Sequence, residues 1–137
     1  LKQQREGLTA QDALAKAREK VDTAEEQLVK CLSAEMPWLR GIEVLPPDES
    51  AAAIAECEVA EKAASALLGQ AQVFLRGKIA EAKKYSKELS ASTSELLAEQ
   101  LARAEVVAKK LASFKKDTGD RKTASMLSEV VESVAAA

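Results

Sequence analysis

The chain has 137 residues, of which 47% are apolar, 31% charged and 3% aromatic, and its formal net charge is −2. This length is typical of one domain, and the apolar fraction excludes a disordered chain. The sequence has no uninterrupted apolar run of about 18 residues, so it predicts no membrane-spanning segment. Because it contains no His, it also excludes His-based acid–base catalysis and His metal ligands.

Composition predicts the fold class. Alanine makes up about a fifth of the chain, and Ala is the strongest helix former. The chain has only 5 Gly and 3 Pro, which argues against a turn-rich all-β fold. We therefore predict an all-α, antiparallel, Ala-rich helical bundle of three long or four helical segments. It forms a single domain over residues 1–137, and we expect the sequence to be a fragment of a longer chain.

The first predicted helix covers about residues 9–36, and the alternative is a start as early as Lys2 if Gly7 is tolerated within the helix. Thr9 is the predicted N-cap, and Pro37 is expected to stop the helix. Between them, apolar residues recur at alternating steps of four and three, which is a heptad pattern typical of a coiled coil. The pattern consists of Ala10, Leu14, Ala17, Val21, Ala24, Leu28 and Cys31.

The connection at 37–48 is unusually apolar for a segment between helices. We expect it to fold back and plug the end of the bundle. It is also the predicted partner-binding segment, because Trp is enriched in the hot spots of protein interfaces. The two roles are compatible, and the candidate residues are Trp38, Leu39, Ile42, Val44 and Leu45.

Three further helices are predicted at about 49–89, 93–116 and 120–136. Ser92 and Glu95 have the spacing of a capping box, which places one boundary there. Residues 117–120, Asp-Thr-Gly-Asp, have the composition of a turn and favour a fourth helical segment. The alternative is a third rod that continues through this stretch, from about 93 to about 136.

Cys31 and Cys57 lie on the apolar faces of the first two helices. The two cysteines lie at similar distances from the connection along the axis of the predicted bundle. A disulfide between them is therefore one possibility. Buried thiols that act as small apolar side chains are the favoured interpretation. Two cysteines do not establish an oxidising compartment, and an intracellular location is favoured.

A set of basic residues spans the end of the third predicted helix and the predicted break that follows it. A surface that binds phosphate or anionic lipid is one interpretation of this weak basic patch. Interspersed acidic residues and the lack of stacking aromatics favour a solvated face and argue against nucleic acid. The set is Lys109, Lys110, Lys115, Lys116, Arg121 and Lys122.

No catalytic motif, phosphate-binding loop or calcium-loop spacing occurs in the sequence. We therefore expect no enzyme activity, no cofactor and no metal. The predicted function is a structural or protein-interaction module: a scaffold, spacer or docking subunit that contacts another protein or further parts of its own chain. The alternative is a carrier that opens to bind an apolar ligand or lipid, helped by Gly69 and Gly77. Heptad patterns alone leave the oligomeric state open.

Overall fold

The computed structural model describes the backbone of residues 2–39 and 47–136 and the side chains of residues 4–39 and 48–127. These residues form four helices and no strand: α1 (Lys2–Ala34), α2 (Met36–Leu39), α3 (Pro47–Ala82) and α4 (Lys87–Ala136). The predicted all-α helical bundle is confirmed. No helix in this described part is both long and apolar enough to cross a bilayer.

The three long helices pack side by side in up-down-up order. Arg103 of α4 forms an ion pair with Asp22 of α1 at 2.8 Å, and Arg121 of α4 forms one with Glu35, just after the end of α1, at 2.7 Å. Residue numbers therefore rise together along α1 and α4, so these two helices are parallel. Helix α3 lies antiparallel to both, and it contacts each of them.

The core is built largely from small side chains. Nine of the twenty buried apolar residues in the described part are Ala. Small side chains at the contacts let helix axes approach closely, so long helices compensate for the small area that each Ala buries. The predicted stripe of α1 is confirmed, since all its members are buried except Leu14, which is half-buried.

Helix α1 begins at Lys2, the earlier of the two predicted starts, and not near residue 9. Its first turns contain Gly7, which stays helical. Glu6 gives this extension a role, because its carboxylate accepts a hydrogen bond from the backbone N–H of Ser86 at 3.2 Å. At the other end, α1 stops at Ala34, and Pro37 lies in the short helix α2.

The boundary predicted from Ser92 and Glu95 is wrong. Helix α3 ends at Ala82, and α4 already begins at Lys87. Ser92 lies inside α4, where its hydroxyl donates to the Leu89 carbonyl at 3.2 Å. The turn forms six to seven residues earlier than predicted, where Tyr85 packs against the core.

The break predicted at residues 117–120 is also wrong, and α4 continues through it. Phe114 and Thr118 are buried and continue the core-facing side of α4 at helical spacing. One turn later, Arg121 forms an ion pair with Glu35. These contacts outweigh the local preference of the sequence for a turn. The third rod of the alternative arrangement is therefore the one observed.

We expect Gly119→Ala to raise the free energy of unfolding by about 0.5–1 kcal/mol. Gly119 is exposed and helical, and a Cβ there would meet nothing within 4 Å. Urea denaturation of this variant tests the continuity of α4. A destabilised variant would instead indicate a turn at this position, as the local sequence predicted.

Candidate functional site

The end of the bundle where α1 meets α2 carries a cluster that we call the Trp38 cluster, formed by Glu35, Trp38 and Arg121. Arg121 lies over the indole ring, with its guanidinium carbon 4.8 Å from the ring centroid. The same guanidinium donates to the Glu35 carboxylate at 2.7 Å. Glu35 is only 14% exposed, so the Arg121 cation compensates a carboxylate that is largely removed from water.

Four exposed apolar side chains lie close together in the sequence at this end of the molecule. We call them the apolar patch, and they belong to the last turns of α1 and to α2. Val29 and Leu39 are each 61% exposed. The patch comprises Val29, Leu32, Met36 and Leu39. Scattered exposed apolar residues are normal on a protein surface, whereas neighbouring ones beside a Trp are typical of an interaction surface.

The structure places two of the predicted partner-binding residues at this site. Trp38 is half-buried and packs against the core, as a plug would, while part of its surface stays accessible. Leu39 is exposed beside it. The other three, Ile42, Val44 and Leu45, lie outside the described residues. Partner binding by this segment remains a prediction.

The predicted basic residues are not brought together into one patch. They follow one another along the continuous helix α4, so successive side chains point in different directions. Arg121 pairs with Glu35 of α1, and Lys122 pairs with Glu58 of α3 at 3.2 Å. The remaining four are exposed: Lys109, Lys110, Lys115 and Lys116.

Cys31 and Cys57 are fully buried free thiols. Burial raises the pKa of Cys31 to about 11, and the nearby Cys57 and Glu61 add to this effect. Burial also raises the pKa of Cys57, although the Arg121 cation acts in the opposite direction. Both thiols therefore stay protonated and unreactive at neutral pH, as the buried-thiol interpretation expects.

This raised pKa predicts a loss of stability in alkali. The Cys31 thiol ionises near pH 9.0 when exposed and near pH 11 when folded. Above pH 9 the unfolded chain has released a proton that the folded chain keeps, so the free energy of unfolding falls as pH rises. Between pH 8.5 and 10 we expect Cys31 to cost about 1 kcal/mol. Urea titrations of the wild type and of Cys31→Ala measure it, because the other titrating groups cancel in the difference. Equal slopes for the two proteins would contradict the prediction.

A second surface feature is an open groove of about 410 Å³ between α3 and α4. Its walls include Ile54 and Val59 from α3 and Met126 from α4. The Glu58–Lys122 ion pair borders it. The volume is within the range of small-molecule sites, although the groove is open to solvent along its length.

Sequence reasoning missed two features of these surfaces. Arg121 was assigned to the basic set, and its contact with Trp38 depends on α4 continuing past residue 120. Val29 was not singled out, because it lies outside the heptad stripe. An apolar residue off the buried stripe, close in sequence to a Trp, is the signal that was available.

Comparison of the chain with protein families, with curated proteins and with solved structures finds no match. Within the described residues, no three acidic, Cys or His side chains converge as a metal site requires. The class of the protein is therefore given by its fold, an Ala-rich helical bundle, and its function is argued from its surfaces.

Proposed function

We propose that this chain is a non-enzymatic protein-interaction module, a docking or spacer unit within a larger protein or assembly. The observation that carries the proposal is the apolar patch beside Trp38. Four large apolar side chains in 11 consecutive residues remain exposed there, and a partner would remove them from water. Burial of apolar area is the main favourable term in protein association.

The Trp38 cluster supports such a role by holding the patch on a rigid base. Arg121 links α4 to the end of α1 through Glu35 and covers the indole of Trp38. A binding surface that is ordered before association loses less conformational entropy on binding. The long, closely packed helices provide the extended support that a spacer needs.

Site-specific photocrosslinking tests this function. A photoreactive amino acid replaces Leu39 in the patch, and the matched control places it at Lys109, an exposed position on α4. In an extract of the source cells we expect a discrete crosslinked protein from position 39 and none from position 109. Leu32→Ser should reduce that crosslink. Identical crosslinks from both positions, or none from either, would contradict the proposed role of the patch.

The groove between α3 and α4 favours a second function, a carrier of an apolar ligand or lipid. Ile54, Val59 and Met126 give it apolar walls, and ligand binding would need the two helices to separate. A fluorescent fatty acid is the probe. Saturable binding that raises the melting temperature and is weakened by Ile54→Ser supports a carrier, whereas a linear, unsaturable signal excludes it.

A further inference from the structure

The exposed face of α3 carries a strip of residues that we call the α3 strip, and one edge of it, at Ala55, Val59 and Lys62, also lines the groove between α3 and α4. It consists of Ala66 and the residues 4, 7, 11, 14 and 18 positions before and after it, all of which are exposed. Within α3, which ends at Ala82, these spacings return to one face of the helix, and position 84 lies in the turn just beyond its end. Its apolar members are Ala52, Ala55, Val59, Ala66, Val73 and Ala80.

This strip carries less charge than the outward faces of the other two long helices, although each of those helices also exposes one Val, Val29 on α1 and Val106 on α4. Those faces are strongly charged, with exposed Asp12, Glu19, Glu26 and Lys30 on α1 and Glu105, Lys109, Lys116 and Asp120 on α4. Exposed Ala can be attributed to its helix propensity, but exposed Val cannot, because β-branched residues are weaker helix formers. Val59 and Val73 are nevertheless 70% and 72% exposed. Low charge with exposed apolar side chains is typical of the centre of an interface.

The order of residues along the strip is symmetric about Ala66. Val59 and Val73 lie seven positions to either side, and Ala52 and Ala80 lie fourteen. At eleven positions the two residues are Ala55 and Gly77. A second copy placed antiparallel on this strip, with a two-fold axis through Ala66, would therefore meet side chains of matching size at each level.

The charged residues of the strip reverse sign across the same centre. Asp48 lies eighteen positions before Ala66, and Lys84 lies eighteen positions after it, in the turn that follows α3. Antiparallel pairing places Asp48 opposite Lys84 of the partner subunit at both ends of the contact. Parallel pairing would instead place like charges together. The only other charge, Lys62, faces the uncharged Gln70 position.

We propose that the α3 strip binds a second copy of this chain, giving an antiparallel, two-fold symmetric dimer centred on Ala66. A two-fold contact requires a surface that complements itself, and the pairing of sizes and charges about Ala66 has this property. Small residues let the two α3 helices approach closely. The opposed helix dipoles add a favourable contribution.

The size of the strip predicts the strength of the dimer. From residue 48 to residue 84 it extends about 54 Å, and at the width of one helix it covers roughly 600 Å² of each chain. This is below the roughly 800 Å² per partner that stable complexes bury. We therefore expect a dissociation constant in the micromolar range, with monomer at low and dimer at high concentration.

Sedimentation equilibrium between about 1 and 300 µM tests the dimer. Asp48→Lys or Lys84→Asp alone should weaken self-association about tenfold or more, because two surface ion pairs are lost and like charges then meet at both ends. The double variant should restore association. Mixing the two single variants should give a heterodimer, since every opposed pair is again of opposite sign. Circular dichroism checks that each variant is folded.

A central substitution provides an independent measurement. Ala66→Arg should abolish dimerisation, whereas Ala102→Arg, at an exposed position on α4, should leave it unchanged. A wild-type chain that stays monomeric at 300 µM overturns the inference. A dimer that neither Ala66→Arg nor the charge reversals weaken overturns it too, because its contact then lies elsewhere.

The α3 strip and the apolar patch lie on different helices, and the two tests can therefore fail separately. A monomer at every concentration excludes the dimer and leaves crosslinking from position 39 unaffected. A dimer with no crosslink from position 39 keeps the α3 strip as an interaction surface and excludes the apolar patch.

Discussion

Leu97→Ala is expected to lower the free energy of unfolding by about 3 kcal/mol. Leu97 of α4 has no exposed surface and belongs to the core cluster shared by the three long helices. Truncation to Ala removes three buried carbon atoms and leaves a cavity in the core. In an Ala-rich core few large side chains contribute burial, so the loss of one is a large fraction of the stability of the domain.

The neighbouring residue is a matched control of the same chemistry. Leu96 is 37% exposed, and Leu96→Ala should cost about 1 kcal/mol, because more than a third of this residue already contacts solvent and its truncation leaves no enclosed cavity. Urea denaturation below 1 µM, where we expect a monomer, compares the two variants. Equal losses of unfolding free energy in the two variants would contradict the burial of Leu97 in the core.

The fold class followed from composition and from the heptad pattern. In α1 the pattern was clearest because its polar residues are confined to the other faces, so the buried stripe was assigned almost completely. In α3 apolar residues also occur at exposed positions such as Val59 and Val73, so its buried stripe is less distinct in the sequence than that of α1.

Both misplaced boundaries have the same physical origin. Ser92 with Glu95 is a local capping signal, and Asp117 to Asp120 is a local turn signal, but neither overcomes the tertiary contacts. Tyr85 packs against the core and fixes the earlier turn. Buried Phe114 and the Arg121–Glu35 ion pair, on either side of residues 117–120, hold α4 against the bundle and keep it continuous. Capping boxes and turn residues contribute on the order of 1 kcal/mol, which is less than the burial of a few core side chains.

The candidate site was only partly predictable for a related reason. Trp38 and Leu39 stand out in the sequence because apolar residues are unexpected in a connection. Arg121 is 83 positions away in the sequence, and nothing local indicates that it lies over the indole ring. Its contact depends on the length of α4 and on the parallel arrangement of α1 and α4.

Arg121→Met is expected to destabilise the domain by about 2 kcal/mol. Methionine keeps most of the length and the apolar contact with Trp38, but it removes the cation that compensates Glu35. An unpaired, largely buried carboxylate costs several kcal/mol in the most buried cases, and loss of the cation–π contact adds about 0.5–1 kcal/mol. The partial exposure of Arg121 reduces the total.

The adjacent residue again provides the control. Lys122 also forms an ion pair, with Glu58, but its side chain is 55% exposed, so Lys122→Met should cost no more than about 0.5 kcal/mol.

Trp38 is the only Trp of the chain, and its fluorescence reports on this end of the bundle while circular dichroism reports on all helices. Arg121→Met should also shift the Trp38 emission in the folded state, and Glu35→Gln in the same chain should recover part of the lost stability, because no uncompensated carboxylate remains. Equal effects of Arg121→Met and Lys122→Met would show that Arg121 forms an ordinary surface contact, and the apolar patch would then lack the rigid base that its proposed role requires.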